Sequence, residues 1–154
     1  MKKILQRIRF LFYQVLKSPS SKTEVAAGFA VGVFVAFLPI MGVHMAVAFF
    51  LTTLFKKNHL AALLAVWIVN PITFVPIYLF NYWVGLFFYP KGAGYYEIKM
   101  VFENFTWESF LTLGSEILIP LFLGSVVVAI AMTVLSYVLC LRFYEPLKIR
   151  LVGP

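Results

Sequence analysis

Two apolar segments of equal length, residues 25–55 and 60–90, dominate this chain, and each carries helix breakers near its middle. A helix that crosses the hydrocarbon of a bilayer needs about 20 residues, and a hairpin of two full crossings needs about 40 plus a turn. At 31 residues each, both segments fall between those lengths. The first is interrupted by Pro39, Gly42 and His44, the second by Asn70, Pro71, Thr73, Pro76 and Asn81. Two shapes satisfy such a pattern: a single steeply tilted, kinked helix, or a re-entrant hairpin whose tip lies inside the membrane. In either, the freed backbone groups cannot face lipid and must be shielded by protein or line a wet cavity. Corresponding breaks in successive segments also point to a broken-helix binding site, although no residue-by-residue repeat relates the two.

Composition supports a membrane setting. Of 154 residues, 62% are hydrophobic and 12% charged, about half the charged fraction of a soluble domain. A single small core has no room for so many Phe, Leu and Val side chains. The expected fold class is an all-α integral membrane protein, with one membrane domain spanning residues 1–154. A third apolar run, 117–141, has only Pro120 near its start and reads as a transmembrane helix. Ahead of the first segment, residues 2–17 place Ile4, Leu5, Ile8, Leu11, Phe12, Val15 and Leu16 within an arc of roughly 140° on a helical wheel. Lysines, arginines and glutamines fill the other side, the pattern of a helix lying in the membrane interface. Ser18-Pro19 ends it, and Ser21-Lys22-Thr23-Glu24 forms a capping box for the next helix.

Charge gives direction. Thirteen Lys and Arg stand against six carboxylates. Six of the basic residues precede Glu24 and flank apolar runs, which favours anionic lipid over nucleic acid as partner. The start runs into an amphipathic stretch instead of a compact apolar core with a cleavage site, which argues against a cleaved signal peptide. The basic arm, the Lys56-Lys57 link and the basic tail 142–154 place both termini and residues 56–59 in the cytoplasm. Residues 91–116 hold four glutamates and many aromatic residues and read as an extracytoplasmic, interfacial loop, with a short helix capped by Thr106 and ending at Gly114. That topology requires the first segment to return to its own side, the second to cross once and the third to come back.

No nucleophile–base pair or phosphate-cradling glycine loop is visible, and no carboxylate lies deep in an apolar segment to act as acid or base. An enzyme is not expected. One cysteine, Cys140, and two histidines allow neither an internal disulfide nor a metal framework, so no cofactor is expected. Three constellations remain. Gly28, Gly32 and Ala36 have small-xxx-small spacing, which suits close helix packing and offers candidate contacts to a second copy. His44 is the side chain deep in an apolar segment able to carry charge near neutral pH; it is either a functional group or a neutral imidazole bonded to a backbone carbonyl. In WIVNPITFVPIY, residues 67–78, prolines 71 and 76 free the carbonyls of Trp67 and Ile72. Asn70 and Thr73 lie close enough to bond to them. The helix restarting after the break would aim N–H groups and its positive dipole end inward, where an anion could be held without arginine. The alternative is a structural kink patched by its own Asn and Thr.

The run from Pro19 through Ala26, Gly28, Ala30, Gly32, Phe34, Pro39 and Gly42, the Lys56-x-Asn58 link, and Trp67, Asn70, Pro71, Thr73, Pro76 and Tyr78 together resemble the bacterial membrane family of domain of unknown function 2062. The basic position before Asn58, often arginine in that family, is lysine here. The resemblance covers nearly the whole chain and implies a bacterial inner-membrane protein. Relatives joined to glycosyltransferase-like domains imply a link to polyprenyl-phosphate or envelope-lipid biology. Asn58 and Tyr78 join the candidate contacts through this motif.

The resulting expectation is a small transporter or flippase for an anionic lipid or related amphiphile, its headgroup contacted by His44, Asn70, Thr73, Asn58 and Tyr78. So short a chain has little room for a sealed pathway, so a homo-oligomer is expected. The rival is a non-transporting adaptor for an envelope enzyme. A channel is disfavoured by the absence of a carboxylate ring at membrane depth.

Overall fold

The computed structural model describes residues 2–40, 42–70, 72–91, 94 and 107–152 of the chain. Among these it is all helical: α1 (Lys2–Lys17), α2 (Lys22–Phe37), α3 (His44–Leu54), α4 (His59–Val66), α5 (Phe74–Leu86) and α6 (Trp107–Val152). The expected entry into α2 is present. Ser21 Oγ accepts the Glu24 N–H at 3.2 Å, and Glu24 Oε2 accepts the Ser21 N–H at 2.7 Å. The backbone bond from Ser21, then its hydroxyl, hold the Glu24 carboxyl below its ordinary value, with Lys57 adding to them. A carboxyl depressed in the folded state stabilises above its unfolded pKa, and that contribution is lost as pH falls through the folded value. Acid titration of stability from just above pH 4.5 downward should therefore show a fall in the parent that is absent in Glu24→Gln. Equal slopes in the two proteins would mean that the box does not hold.

α2 is the central helix, buried on several sides because α3, α4 and α6 all pack on it. Glycine permits its closest approach. A Cβ at Gly28 would collide with the Asn58 backbone, and one at Gly32 with the Ala62 backbone. Equal steps of four on the two helices mean that α4 runs beside α2 in the same direction. α3 runs the other way: Val35, near the end of α2, packs with Ala48 of α3, and the Asn58 N–H returns to the Glu24 carbonyl at 3.3 Å. Residues 22–54 thus form a helical hairpin, with α2 and α3 packed side by side.

The second segment does not return. Gly85 of α5 lies against the Pro120 carbonyl of α6, and Gly124 against the Asn81 carbonyl, so α5 and α6 cross antiparallel. α6 then descends along α2, from Val128 and Ala129 beside Val33 and Phe37 to Tyr144 beside Val25, Leu16 and Ala61. From Pro120 to Tyr144 it rises about 36 Å. The chain between Asn58 and Gly85 therefore travels from one end of the bundle to the other. The apolar face of α1 docks at the lower end through Val15 and Leu16, each 4% exposed.

Three boundaries differ from expectation. Gly114 does not end a helix: α6 passes through it, and nothing lies within 4 Å of the position its Cβ would take. Thr106 lies outside the described residues; the short helix expected after it is present from Trp107 but runs without a break into the third apolar run. The tail is helical to Val152 with Pro146 inside it, because continuing the ladder satisfies backbone groups that an irregular chain would leave to solvent. Among the described residues one helix, over Gly114–Val152, is long and apolar enough to cross a membrane; α3 and α5 are shorter apolar helices. The outer faces of α3, α5 and α6 expose Phe49, Phe50, Leu54, Leu79, Phe80, Trp83, Phe87, Phe122, Ile130 and Val134. A soluble monomer rarely exposes an apolar surface this extensive.

Candidate functional site

The hairpin turns at residues 38–43, of which Met41 lies outside the described residues. Gly42 has φ +85°, a left-handed conformation that penalises any Cβ even though the space around it is open. α2 stops at Phe37, and the Leu38 carbonyl points into the bundle. It accepts the Ile40 N–H at 2.8 Å and the Tyr78 hydroxyl at 2.8 Å, with His44 Nε2 at 3.2 Å. A carbonyl only accepts, so Nε2 carries the proton in this arrangement. Tyr78 Oη and Nε2 are 3.5 Å apart and both aim at the same oxygen. This is the imidazole-to-carbonyl geometry that counted as the structural alternative for His44. It is not essential to the turn, since two other donors reach the same carbonyl.

The second break spans residues 67–73, with Pro71 outside the described residues. Asn70 Oδ1 accepts the N–H of Ile72 at 2.9 Å and of Thr73 at 3.3 Å, and Thr73 Oγ1 accepts the Asn70 N–H at 3.0 Å. These reciprocal bonds follow capping-box logic one turn ahead of α5. The Phe74 N–H then reaches the Asn70 carbonyl at 2.8 Å. Thr73 spends its proton on the Ile68 carbonyl at 2.7 Å, and Asn70 Nδ2 lies 3.4 Å from the Trp67 carbonyl. Pro76 causes no break. It sits near the start of α5, and the i→i−4 bonds on either side of it, Phe74 N–H to Asn70 at 2.8 Å and Ile77 N–H to Thr73 at 3.1 Å, are intact.

The two breaks meet. Gly42, His44 and Met45 from one, and Val66, Trp67, Val69 and Asn70 from the other, line a hollow of about 270 Å³. Of the five expected contacts, the structure brings His44 and Asn70 to this hollow. Tyr78 shares the Leu38 carbonyl with His44 but is not part of the lining, and Thr73 is occupied within its own turn. Asn58 lies at the other end of α4, 7% exposed, and is the one candidate the structure removes from the cluster. Its Oδ1 caps α4 through the Ala61 N–H at 2.8 Å, and its Nδ2 donates to Ser18 and Ser20, each at 2.9 Å. Every polar atom of that side chain is engaged. The anion cradle expected at the start of α5 is also altered, because the chain's own Asn70 carboxamide occupies the Ile72 and Thr73 N–H groups.

Asn81 is a residue that sequence reasoning passed over as a mere interruption. It is fully buried where the hairpin tip, α5 and α6 meet, donating to the Phe37 carbonyl at 3.1 Å and to Ser125 Oγ at 2.9 Å. Its Oδ1 has no partner. The available signal was a carboxamide in an apolar run four residues before Gly85, a polar anchor beside a close helix crossing. The stripe Gly28, Gly32 and Ala36 is consumed within the chain: the glycines meet α4, and Ala36 is buried in a cluster with Ala65. It cannot also be the face that meets a second copy.

The chain belongs to the family described as an uncharacterized protein conserved in bacteria (DUF2062), whose model matches residues 5–150. No curated protein and no solved structure matches it.

Proposed function

We propose that this family member is a multi-pass protein of the bacterial inner membrane that moves an anionic lipid, or a related amphiphile such as a polyprenyl phosphate, and admits its headgroup to the hollow between the two breaks. The observation that carries the reading is the convergence of His44 and Asn70 on that hollow in an otherwise apolar bundle. Polar side chains at membrane depth are costly and mark substrate paths by default. Irregular backbone is tolerated there only when protein or a cavity shields it. In this reading residues 22–54 are a re-entrant hairpin, 59–86 one broken crossing and α6 the return span. Both termini and the 56–59 link then share the cytoplasmic side with most of the basic residues. No catalytic step is involved. A homo-oligomer would pair through another face, such as the exposed Phe80, Trp83 and Phe87 of α5.

A second reading has its own support. Asn70 and Thr73 satisfy each other and the backbone around them without any ligand, as a purely architectural break would. In that case the chain is an adaptor for an envelope enzyme. Native mass spectrometry of the gently purified protein separates the two. His44→Ala leaves the Leu38 carbonyl two donors, and Asn70→Ser keeps a helix cap while removing the carboxamide N–H groups. Both should fold yet lose, about tenfold, a phosphate-bearing lipid that the parent retains. Unselective lipid, unchanged in both variants, would leave the break as architecture and favour the adaptor.

A further inference from the structure

A second cavity lies away from the breaks. It is a groove of about 340 Å³ between α1, α2, α4 and α6, lined by apolar side chains such as Phe12, Phe29, Phe37, Met132 and Leu139, with Tyr144 at its lower end. Along α2 it extends from Val25 to Phe37, about 18 Å at 1.5 Å per residue. That is close to the depth of one leaflet, half of the ~30 Å hydrocarbon thickness. α2 and α6 both line it along its length, so an extended apolar tail can lie between them.

The lower end has the opposite character. Lys17 follows Leu16, a lining residue, and its Nζ lies 5.2 Å from the Tyr13 ring centre. Lys148 Nζ lies 5.8 Å from the ring centre of Tyr144, itself a lining residue. Arg142 and Arg150 are exposed on the same stretch of α6, and Lys22 opens α2 nearby. The carboxylates facing this end are Glu145, exposed on α6, and Glu24, already engaged by Ser21. An apolar slot one leaflet deep, ending beside Lys17 and Lys148, is complementary to one lipid chemistry: an apolar tail joined to an anionic headgroup.

We infer that this groove seats one acyl tail of an anionic bilayer lipid, with the phosphate held at the Lys17–Lys148 rim. The proposal rests on the membrane reading above but not on transport or on the hollow at the breaks. The seated lipid ties α1 to α2 and α6, so the amphipathic arm docks on a surface that the bilayer itself completes.

Cys140, the chain's one cysteine, lines the groove and reports on its occupancy without mutation. The full chain is placed in nanodiscs of phosphatidylcholine alone or mixed with phosphatidylglycerol, and the rate of its modification by a lipophilic maleimide is measured. Phosphatidylglycerol should slow the reaction at least fivefold, and native spectra should show one phosphatidylglycerol per chain. Lys17→Gln and Lys148→Gln, which require no repacking, should each lower the preference for the anionic lipid roughly fivefold. Leu139→Trp, at a half-exposed rim position, should displace the tail and abolish the adduct. Equal modification rates in the two lipids, or protection in both with the mass of a dimer (a second copy in the groove), would overturn the proposal. Protection that persists in His44→Ala and Asn70→Ser supports the groove as a site separate from the headgroup hollow. Loss of the adduct in those two variants, with the lysine and Leu139 variants unaffected, does the reverse. Recovery of the chain from cells without detergent would remove the membrane reading itself.

Discussion

Gly124→Ala separates α5 from α6 and lowers the unfolding free energy by about 2–4 kcal/mol, whereas Gly114→Ala in the same helix raises it by up to about 1 kcal/mol. The two substitutions add the same methyl group to the same helix. At Gly124 the methyl meets the Asn81 carbonyl and the Gly85 N–H, backbone atoms that cannot turn aside. At Gly114 it meets nothing within 4 Å among the described residues. Only the ordinary preference of a helix for alanine over glycine then acts. A denaturant-detergent titration followed by tryptophan fluorescence would read both, with Trp83 on α5 reporting the crossing. The same sign for the two variants would mean that α5 and α6 do not approach as closely as the structure has them. The loss at Gly124 should also release the Asn81–Ser125 bond, since Ser125 is the next residue on α6. An Asn81→Ala change added to Gly124→Ala should therefore cost less than it does alone.

The sequence exposed one of these glycine crossings and concealed the other, for a physical reason. Gly28, Gly32 and Ala36 repeat every four residues within one helix, so the pattern is local and visible. Gly85 and Gly124 make an equivalent contact, but they lie on different helices far apart in the chain, one against the Pro120 backbone and the other against that of Asn81. Nothing local marks them as a pair. Much the same separates hairpin from crossing. Both broken segments have the same length and the same kinds of breaker, and what distinguishes them lies outside either one: Asn58 returning to Glu24 in the first, Gly85 arriving at Pro120 in the second.

Local chemistry was the more legible part. The Ser21–Glu24 box, the stop at Ser18-Pro19 and the reach of Asn70 to the Trp67 carbonyl follow from side-chain reach over three or four residues, whereas Thr73 donates to Ile68 and not to Ile72. Pro76 misled because the cost of a proline depends on its distance from a helix start, and α5 begins only two residues before it. Asn58 misled differently. A carboxamide in a short motif looks the same whether it awaits a ligand or binds two segments of its own chain.

That difference makes Asn58 the second large effect. In Asn58→Ala, α4 loses its cap, and the hydroxyls of Ser18 and Ser20 lose the amide between them, at a site 7% exposed. A lost cap costs about 1 kcal/mol, and buried groups left without partners add about 1–3 kcal/mol. The expected total is about 2–4 kcal/mol, large against the stability of so small a bundle. The damage should be directional. Asn58 ties the linker between α1 and α2 to the start of α4, so limited proteolysis should cut near residues 18–21 before any other part of the bundle opens. Asn58→Asp keeps the oxygen that caps α4 and loses both donors to the serines, so it should recover part of the stability and little of the protease resistance. A residue whose role was to hold a headgroup would behave otherwise. Its removal would leave unfolding and cleavage unchanged and weaken lipid retention per folded molecule. Asn58→Ala should do the opposite on all three measurements, and parent-like melting with lost lipid would return Asn58 to the binding site.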